Sequence, residues 1–448
     1  MRIALGQIDG MKRLEPERDW QTLLSLLPAN FEELAVEHKL LNVQWPNAKI
    51  TSAAVLLRFI FLHVGADMPL RQTVALIAES GGPRLSAVRL HYRMRRAQPY
   101  LAALVAQMVP IAAGAPEQWG GYEMVCVDAT AVSGPGADGT DARLHAVIRL
   151  HDLGVVGAEV TDGTGGETLK RFFWSPGQLV IADRGYANAP GLAWVVDHDA
   201  DVLVRVNRGS LPLQREDGTP IDVLSWCRSL VGHAAAQVNA QATAHEGRAR
   251  RIIHGRLVGF RLPDEEAEQA RQRVRREQGA DASDEQLEAA GYVALFTTAP
   301  VGRLSAPRCV EAYRLRWQIE LQFKRWKSLC HFDRLPNYRD DTIQSWLTAK
   351  LLLGLLLDRI GAAPLPVPPA TGRSSRAAAR EPWKLTSIVW PMMIAAIMPM
   401  RLHAVLEHLP AIVERLEAFD CADADERQVA VFRNRFYPDC RRSVGPDC

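Results

Sequence analysis

Apolar positions change their spacing twice along the chain. Up to about residue 110 they recur at helical intervals in "WQTLLSLLPANFEELAVEHKLL" and "TSAAVLLRFIFLHVGA", and two further helices are predicted on either side of "SGGPR". The second of these is "LSAVRLHYRMRRAQPYLAALV". From Tyr122 the period shortens to that of strands: "EMVCVDAT", "RLHAVIRLHD" and "VVGAEVTDG" are short, rich in Val or Ile and separated by turn residues. A helix at "GETLKRFFW", a buried strand at "QLVIADRGY", a helix at "NAPGLAWVVDHDA" and a strand at "DVLVRVN" extend this into an α/β layer with an antiparallel start. Residues 208–300 look inserted, mixing strands such as "RARRIIHGRLVGFRL" with the charged helix "DEEAEQARQRVRREQG", whose acids lead and bases trail as the helix dipole prefers. The strand "YVALFTT" then leads to a helix at "YRLRWQIELQFKRWK" and a buried one at "DTIQSWLTAKLLLGLLLDRI". A linker rich in Pro, Ala and Arg covers 361–382, and a last helical segment with a polar tail covers 383–448.

The helix at 313–327 carries an unusual stripe. At 100° per residue, Tyr313, Arg316, Glu320 and Lys327 fall within an arc of about 60°. Leu315, Ile319, Phe323 and Trp326 line one side, Trp317 and Leu321 the other, and the two tryptophans read as core. A half-buried glutamate needs a partner. Either Glu320 pairs with Arg316 and Lys324 on its own helix, as surface helices often do, or it meets groups from elsewhere in the chain.

Two aspartates offer such a meeting. Asp128 follows the apolar run "MVCV" and Asp183 follows "LVIA", so each ends a predicted buried strand, where an α/β sheet presents functional side chains. Either alone could be an ordinary capping residue. Together with Glu320 they form an all-oxygen set suited to a hard divalent cation. Two such ions, roughly 3.5–4 Å apart, can activate an attacking oxygen and stabilise the leaving one in phosphodiester cleavage. Asp138, Asp141, Asp152 and Asp162 fall in turn-like stretches and read as structural, as do His145 and His151. Arg184, directly after Asp183, reads equally as a DNA contact or a structural ion pair.

Charge and composition narrow the partners. Lys plus Arg is 53 against 51 Asp plus Glu, so a nucleic-acid surface must come from local clusters. One such cluster is Arg89, Arg93, Arg95 and Arg96 beside His91 and Tyr92, in a helix, glycine turn and basic helix that suit a helix-turn-helix reader or a solvated face. Seven Cys without a CxxC pair or zinc-type His spacing predict reduced thiols rather than disulfides or structural zinc. The N-terminus lacks the apolar run of a signal peptide, and the most apolar segments are interrupted by Lys350 or prolines, so a cytoplasmic protein is expected. No solenoid repeat is present.

The chain resembles the DDE transposases of bacterial insertion sequences, specifically the insertion sequence 4 family. That family's signature is Tyr, two residues, Arg, three residues, Glu, six residues, Lys, complete here as Tyr313, Arg316, Glu320 and Lys327. "CVDAT", "GTDARLHAVIRLHD", "TGGETLKRFFW" and "LVIADRGYA" also look like this family in the same order. The resemblance runs from about residue 85 to 357 and implies a ribonuclease H-like mixed sheet flanked by helices. It implies that Asp128, Asp183 and Glu320 bind two Mg²⁺, for which Mn²⁺ can substitute, and that Tyr313, Arg316 and Lys327 meet the transposon end. The expected division is a helical DNA-binding segment over 1–110, a first core part over 111–207, a β-rich insertion over 208–300 and a second core part over 301–360, followed by the linker and C-terminal segment.

The function expected from this reading is cut-and-paste transposition: hydrolysis at the element's end, then attack of the freed 3′ hydroxyl on target DNA. In this family a hairpin at the element end is an implied intermediate. Double-stranded DNA, both terminal inverted repeats and target, is the expected partner, held by a homodimer at the nucleoid. A non-joining nuclease of the same fold and an inactive DNA-binding regulator are the alternatives, and the presence of all three acids speaks against the second. A glycosidase would leave the basic residues unexplained.

Overall fold

The computed structural model describes residues 16–41, 50–109, 119–134, 138–246, 249–335, 340–361 and 375–399. Most of the expected linker and residues 400–448 of the C-terminal segment lie outside this set. Among the described residues six helices come first: α1 (Pro16–Leu24), α2 (Phe31–Glu37), α3 (Ala53–Gly65), α4 (Leu70–Glu79), α5 (Ala87–Arg96) and α6 (Gln98–Met108). Ten of the residues of α3, from Ala53 to Gly65, are buried, because it is apolar nearly all round and other helices enclose it. Two late helices, α13 (Asp340–Gly361) and α14 (Ser375–Ile397), return to pack on it, and α13 also lies against the sheet.

The strands are β1 (Glu123–Val132), β2 (Ala142–Arg149), β3 (Val155–Asp162), β4 (Gln178–Ala182), β5 (Asp201–Arg205), β6 (Leu213–Gln214), β7 (Ala236–Glu246), β8 (Ala249–Arg261) and β9 (Tyr292–Thr297). They form one nine-stranded mixed sheet in the order β3-β2-β1-β4-β5-β9-β8-β7-β6. The first three are an antiparallel meander, and β1, β4 and β5 are parallel neighbours. This is the mixed sheet flanked by helices of a ribonuclease H-like transposase fold. Helix α7 (Ala189–Asp197) covers one face. Helices α11 (Ala306–Arg314) and α12 (Trp317–Cys330) cover the other. The segment 208–300 contributes β6 to β9 together with α8 (Val223–Arg228), the largely exposed α9 (Asp264–Gln278) and α10 (Asp284–Ala289), and its strands continue the same sheet beyond β5.

Three local readings change. "GETLKRFFW" holds a single 3-10 turn, Leu169–Arg171, and no α-helix. The Arg171 guanidinium takes the Gly166 carbonyl and the Trp174 indole takes that of Leu169, which are acceptors a helix would need for its own amides. The basic helix "LSAVRLHYRMRRAQPYLAALV" breaks at Ala97 into α5 and α6, because Pro99 in the first turn of α6 has no amide to continue the ladder. The helix predicted through 313–327 also breaks, at Leu315 and Arg316, where amides bond three residues back: Leu315 to Ala312, Arg316 to Tyr313, Gln318 to Leu315 and Ile319 to Arg316.

Lys350 on α13 joins the helical layer to α12. Its side chain is 1% exposed, and its ammonium donates to the carbonyl of His331, which caps α12 in the left-handed region (φ 54°), and to Asp67 between α3 and α4. Replacing Lys350 with Met removes the ammonium from the His331 carbonyl and leaves Asp67 with the more distant Arg334, 3.8 Å away. Urea unfolding should register a loss of about 2–4 kcal/mol, and a change below about 0.5 kcal/mol would show that the ammonium is dispensable. Among the described residues no helix is long and apolar enough to cross a membrane.

Candidate active site

Strand register brings the two aspartates together. The parallel β1–β4 ladder ends at Val127 opposite Ala182, so Asp128 and Asp183 each stand one residue beyond the last pair. β1 itself runs on past Asp128 by pairing with β2, which places this acid within a strand rather than at its end. Alternation along β1 puts Asp128 on the same face as Cys126, whose thiol donates to the Arg316 carbonyl at 3.8 Å. The acids therefore face the junction of α11 and α12.

Arg316 occupies that junction. One arm of its guanidinium reaches Asp128 Oδ2 at 3.2 Å and the other reaches Glu320 Oε1 at 2.5 Å. The Tyr313 hydroxyl donates to Asp183 Oδ1 at 3.0 Å, and the Ala129 amide donates to Asp128 Oδ1 at 2.8 Å. Burial would depress the Arg316 guanidinium, but Asp183, Tyr313, Glu320 and Asp128 together hold it above its ordinary range. The three acids thus surround one cation. Among the described residues no group of three or more His, Cys, Asp or Glu side chains is arranged to hold a metal, and the Arg316 guanidinium lies between Asp128 and Glu320.

The aspartates titrate differently. Burial pushes Asp128 up to about 6, with Asp183 and Glu167 adding to the rise and the Ala129 amide and Arg316 opposing it. Asp183 is also buried, yet Arg316, the Arg184 amide, the Tyr313 hydroxyl and Arg205 together bring its carboxyl below the usual range. Burial, and next Asp183, raise the Tyr313 phenol.

The remaining basic residues stand around this centre. The Lys327 ammonium donates to the Ala131 carbonyl of β1 at 2.9 Å, and burial lowers its pKa. Arg184 is exposed beside Asp183. On α5, Arg93 turns inward to the Leu40 carbonyl, Arg96 lies over the Tyr92 ring, and Arg95 and Tyr92 are exposed. His145 is buried against the Thr161 hydroxyl, and Asp141, Asp152 and Asp162 accept backbone amides in turns.

Two charged residues at the centre were missed by sequence reasoning. Glu167 packs against Gly185, pairs with Arg143 at 3.4 Å and bears electrostatically on Asp128. Arg205 ends β5 as Asp183 follows β4, and acts on Asp183 and Tyr313. A charged residue closing a strand was the available signal for Arg205; Glu167 lies in a loop and gave none beyond its place in "TGGETLKRFFW".

Comparison with known proteins gives consistent matches. The family profile described as a transposase DDE domain matches residues 119–356. The chain is 31% identical over 363 residues to a protein named as transposase InsL for insertion sequence element IS186A of Escherichia coli strain K12, covering 80% of this chain and 98% of that one. It is 31% identical over 364 residues to the transposase for insertion sequence element IS421 of Escherichia coli, with the same coverage. A shorter match, 21% over 192 residues and 40% of each chain, is to the transposase for insertion sequence element IS231B of Bacillus thuringiensis subsp. berliner.

The raised Asp128 carboxyl has a consequence for stability. Its folded value of about 6 lies above the ordinary aspartate value of 3.8, so the folded state binds the proton more tightly and loses stability as pH rises between these values. Asp128→Asn should therefore be more stable to unfolding than wild type at pH 7.5 in chelator, by on the order of 1–3 kcal/mol. The gap should close as pH falls toward about 4. A variant less stable than wild type at pH 7.5 would show that the ionised carboxylate stabilises the fold.

Proposed function

Because the chain belongs to the transposase DDE domain family, we propose that it cuts the ends of a bacterial insertion sequence and joins them to target DNA by hydrolysis and strand transfer. Members of this family process nucleic acid, and their DDE domains generally use divalent metal ions. The Tyr313, Arg316, Glu320 and Lys327 spacing supports membership of the insertion sequence 4 group. The observation that carries this reading is the convergence of Asp128, Asp183 and Glu320, from distant parts of the chain, on a single cationic group.

The donor set fits magnesium in kind and charge. All three side chains offer oxygen, and the Arg316 guanidinium among them is a stand-in cation. Asp128, Asp183 and Glu320 would hold two Mg²⁺, or Mn²⁺ in their place. When bound, the ions supply Lewis-acid activation of the attacking oxygen and stabilisation of the leaving one.

The protein's other groups hold the DNA. Tyr313, whose hydroxyl rests on Asp183, orients that carboxylate and offers its phenol to a phosphate at the cut. Arg316 can grip a phosphate with two N–H groups at once. Lys327, with its ammonium on the β1 carbonyl of Ala131, and the exposed Arg184 extend the same basic rim. In the N-terminal helical segment, Arg93, Arg95 and Arg96 belong to the helix that approaches the inverted repeat, Arg93 by fixing α5 on Leu40. Two ends require two active sites, hence a homodimer on DNA, at the nucleoid of the cytoplasm. Pre-cleaved ends supplied with target DNA separate this activity from a nuclease that never joins strands.

Glu320→Gln should abolish nicking of an end duplex while leaving binding intact or tighter, because it removes a negative charge near the backbone. Lys327→Ala should weaken binding and reduce the salt slope of log affinity by about one. Fluorescence anisotropy at several salt concentrations beside a nicking assay measures both. Wild-type cleavage by Glu320→Gln, or an unchanged slope for Lys327→Ala, removes the role concerned. Cleavage should also stop in excess chelator and return with Mg²⁺ or Mn²⁺; full activity in chelator excludes the metal-dependent reaction.

A further inference from the structure

We propose that Arg316 is a removable counter-cation: in the DNA-free chain it bridges Asp128 and Glu320, offsets the charge of the three acids and blocks the divalent ion, and DNA phosphate draws it away so that the ion can enter. This rests on the reading of Asp128, Asp183 and Glu320 as the metal-binding set and adds its regulation.

The geometry points to competition for one position. The guanidinium bridges Asp128 and Glu320 with separate nitrogens, so an ion shared by these two carboxylates would have to occupy the space it fills. Its third acidic neighbour, Asp183, is held by Tyr313 and acts on Arg316 at longer range. With Arg316 in place, no group of three acids among the described residues is arranged to hold a metal ion.

The geometry also gives the arginine a way out. Arg316 sits in the short turn between α11 and α12, and Glu320 is 44% exposed at the mouth of the site. A side chain with several rotatable bonds can swing from that turn without moving either helix. A DNA phosphate offers the same paired acceptors as the carboxylate it would leave. Once the guanidinium leaves, the acids repel one another unless a cation replaces it. Ion and DNA therefore favour each other's binding, and by linkage the coupling is equal in both directions. A chain that cannot load metal without DNA is protected from idle hydrolysis.

The test is Mn²⁺ binding to the full DNA-free chain, read by electron paramagnetic resonance of the free ion. Arg316→Gln should bind Mn²⁺ about tenfold more tightly than wild type, or better still, although it is impaired in cleavage. The gain should vanish in the Arg316→Gln/Glu320→Gln double variant. Arg316→Lys, which keeps a charge but cannot bridge two carboxylates, should fall between, and circular dichroism establishes that each variant is folded. Equal Mn²⁺ affinity in wild type and Arg316→Gln, both weakened by Glu320→Gln, would overturn the counter-cation while leaving the metal-binding acids in place. Failure of every folded variant to bind Mn²⁺ would overturn both.

Discussion

Burying carboxylates side by side sets the terms for this molecule. Two unit charges 4 Å apart interact by roughly 4 kcal/mol at the effective dielectric of a protein surface region, and burial adds a desolvation cost to each. The β1–β4 register leaves no freedom to separate Asp128 from Asp183, since both follow directly after the last paired residues. Burial, and in smaller part Asp183 and Glu167, push Asp128 up to about 6. The effect of burial is offset at Asp183 by Arg316, a backbone amide, the Tyr313 hydroxyl and Arg205. Helix α12 and its preceding turn thus complete the electrostatics of the sheet that they cover.

The sheet was readable because its strands differ from the helices in apolar period, and the Val-rich runs at 124–127 and 179–182 announce burial on both faces. The adjacency of the aspartates was not readable in the same way. It depends on a parallel pairing between segments more than fifty residues apart, which no local pattern encodes. The stripe over 313–327 was only half legible. Glu320 does pair with Arg316 four residues back, as the ordinary surface reading held, but the same guanidinium also crosses to Asp128. Nothing in "YRLRWQIE" marks the turn at Leu315 and Arg316, because neither glycine nor proline is present and the break is a tightening of the hydrogen-bond pattern.

Residues 208–300 extend the sheet outward from β5. β9 pairs with the outer side of β5, and β8, β7 and the two-residue β6 follow outward from it. Their attachment is reinforced by Arg256, whose buried guanidinium donates to the carbonyls of Ala299 and Leu304 in the loop leading into α11. Hence the segment just before the signature helices is braced by β8.

The Lys350 contact joins parts of the chain with different proposed tasks. It ties the carboxyl end of the helix bearing Glu320 to the loop between α3 and α4 in the N-terminal layer. If that layer reads the element end, the distance from the sequence read to the phosphodiester cut is a fixed length built into the protein, as on a ruler. An extra base pair placed between the two would then leave the cut at its old physical distance and move it by one nucleotide relative to the transposon's own boundary.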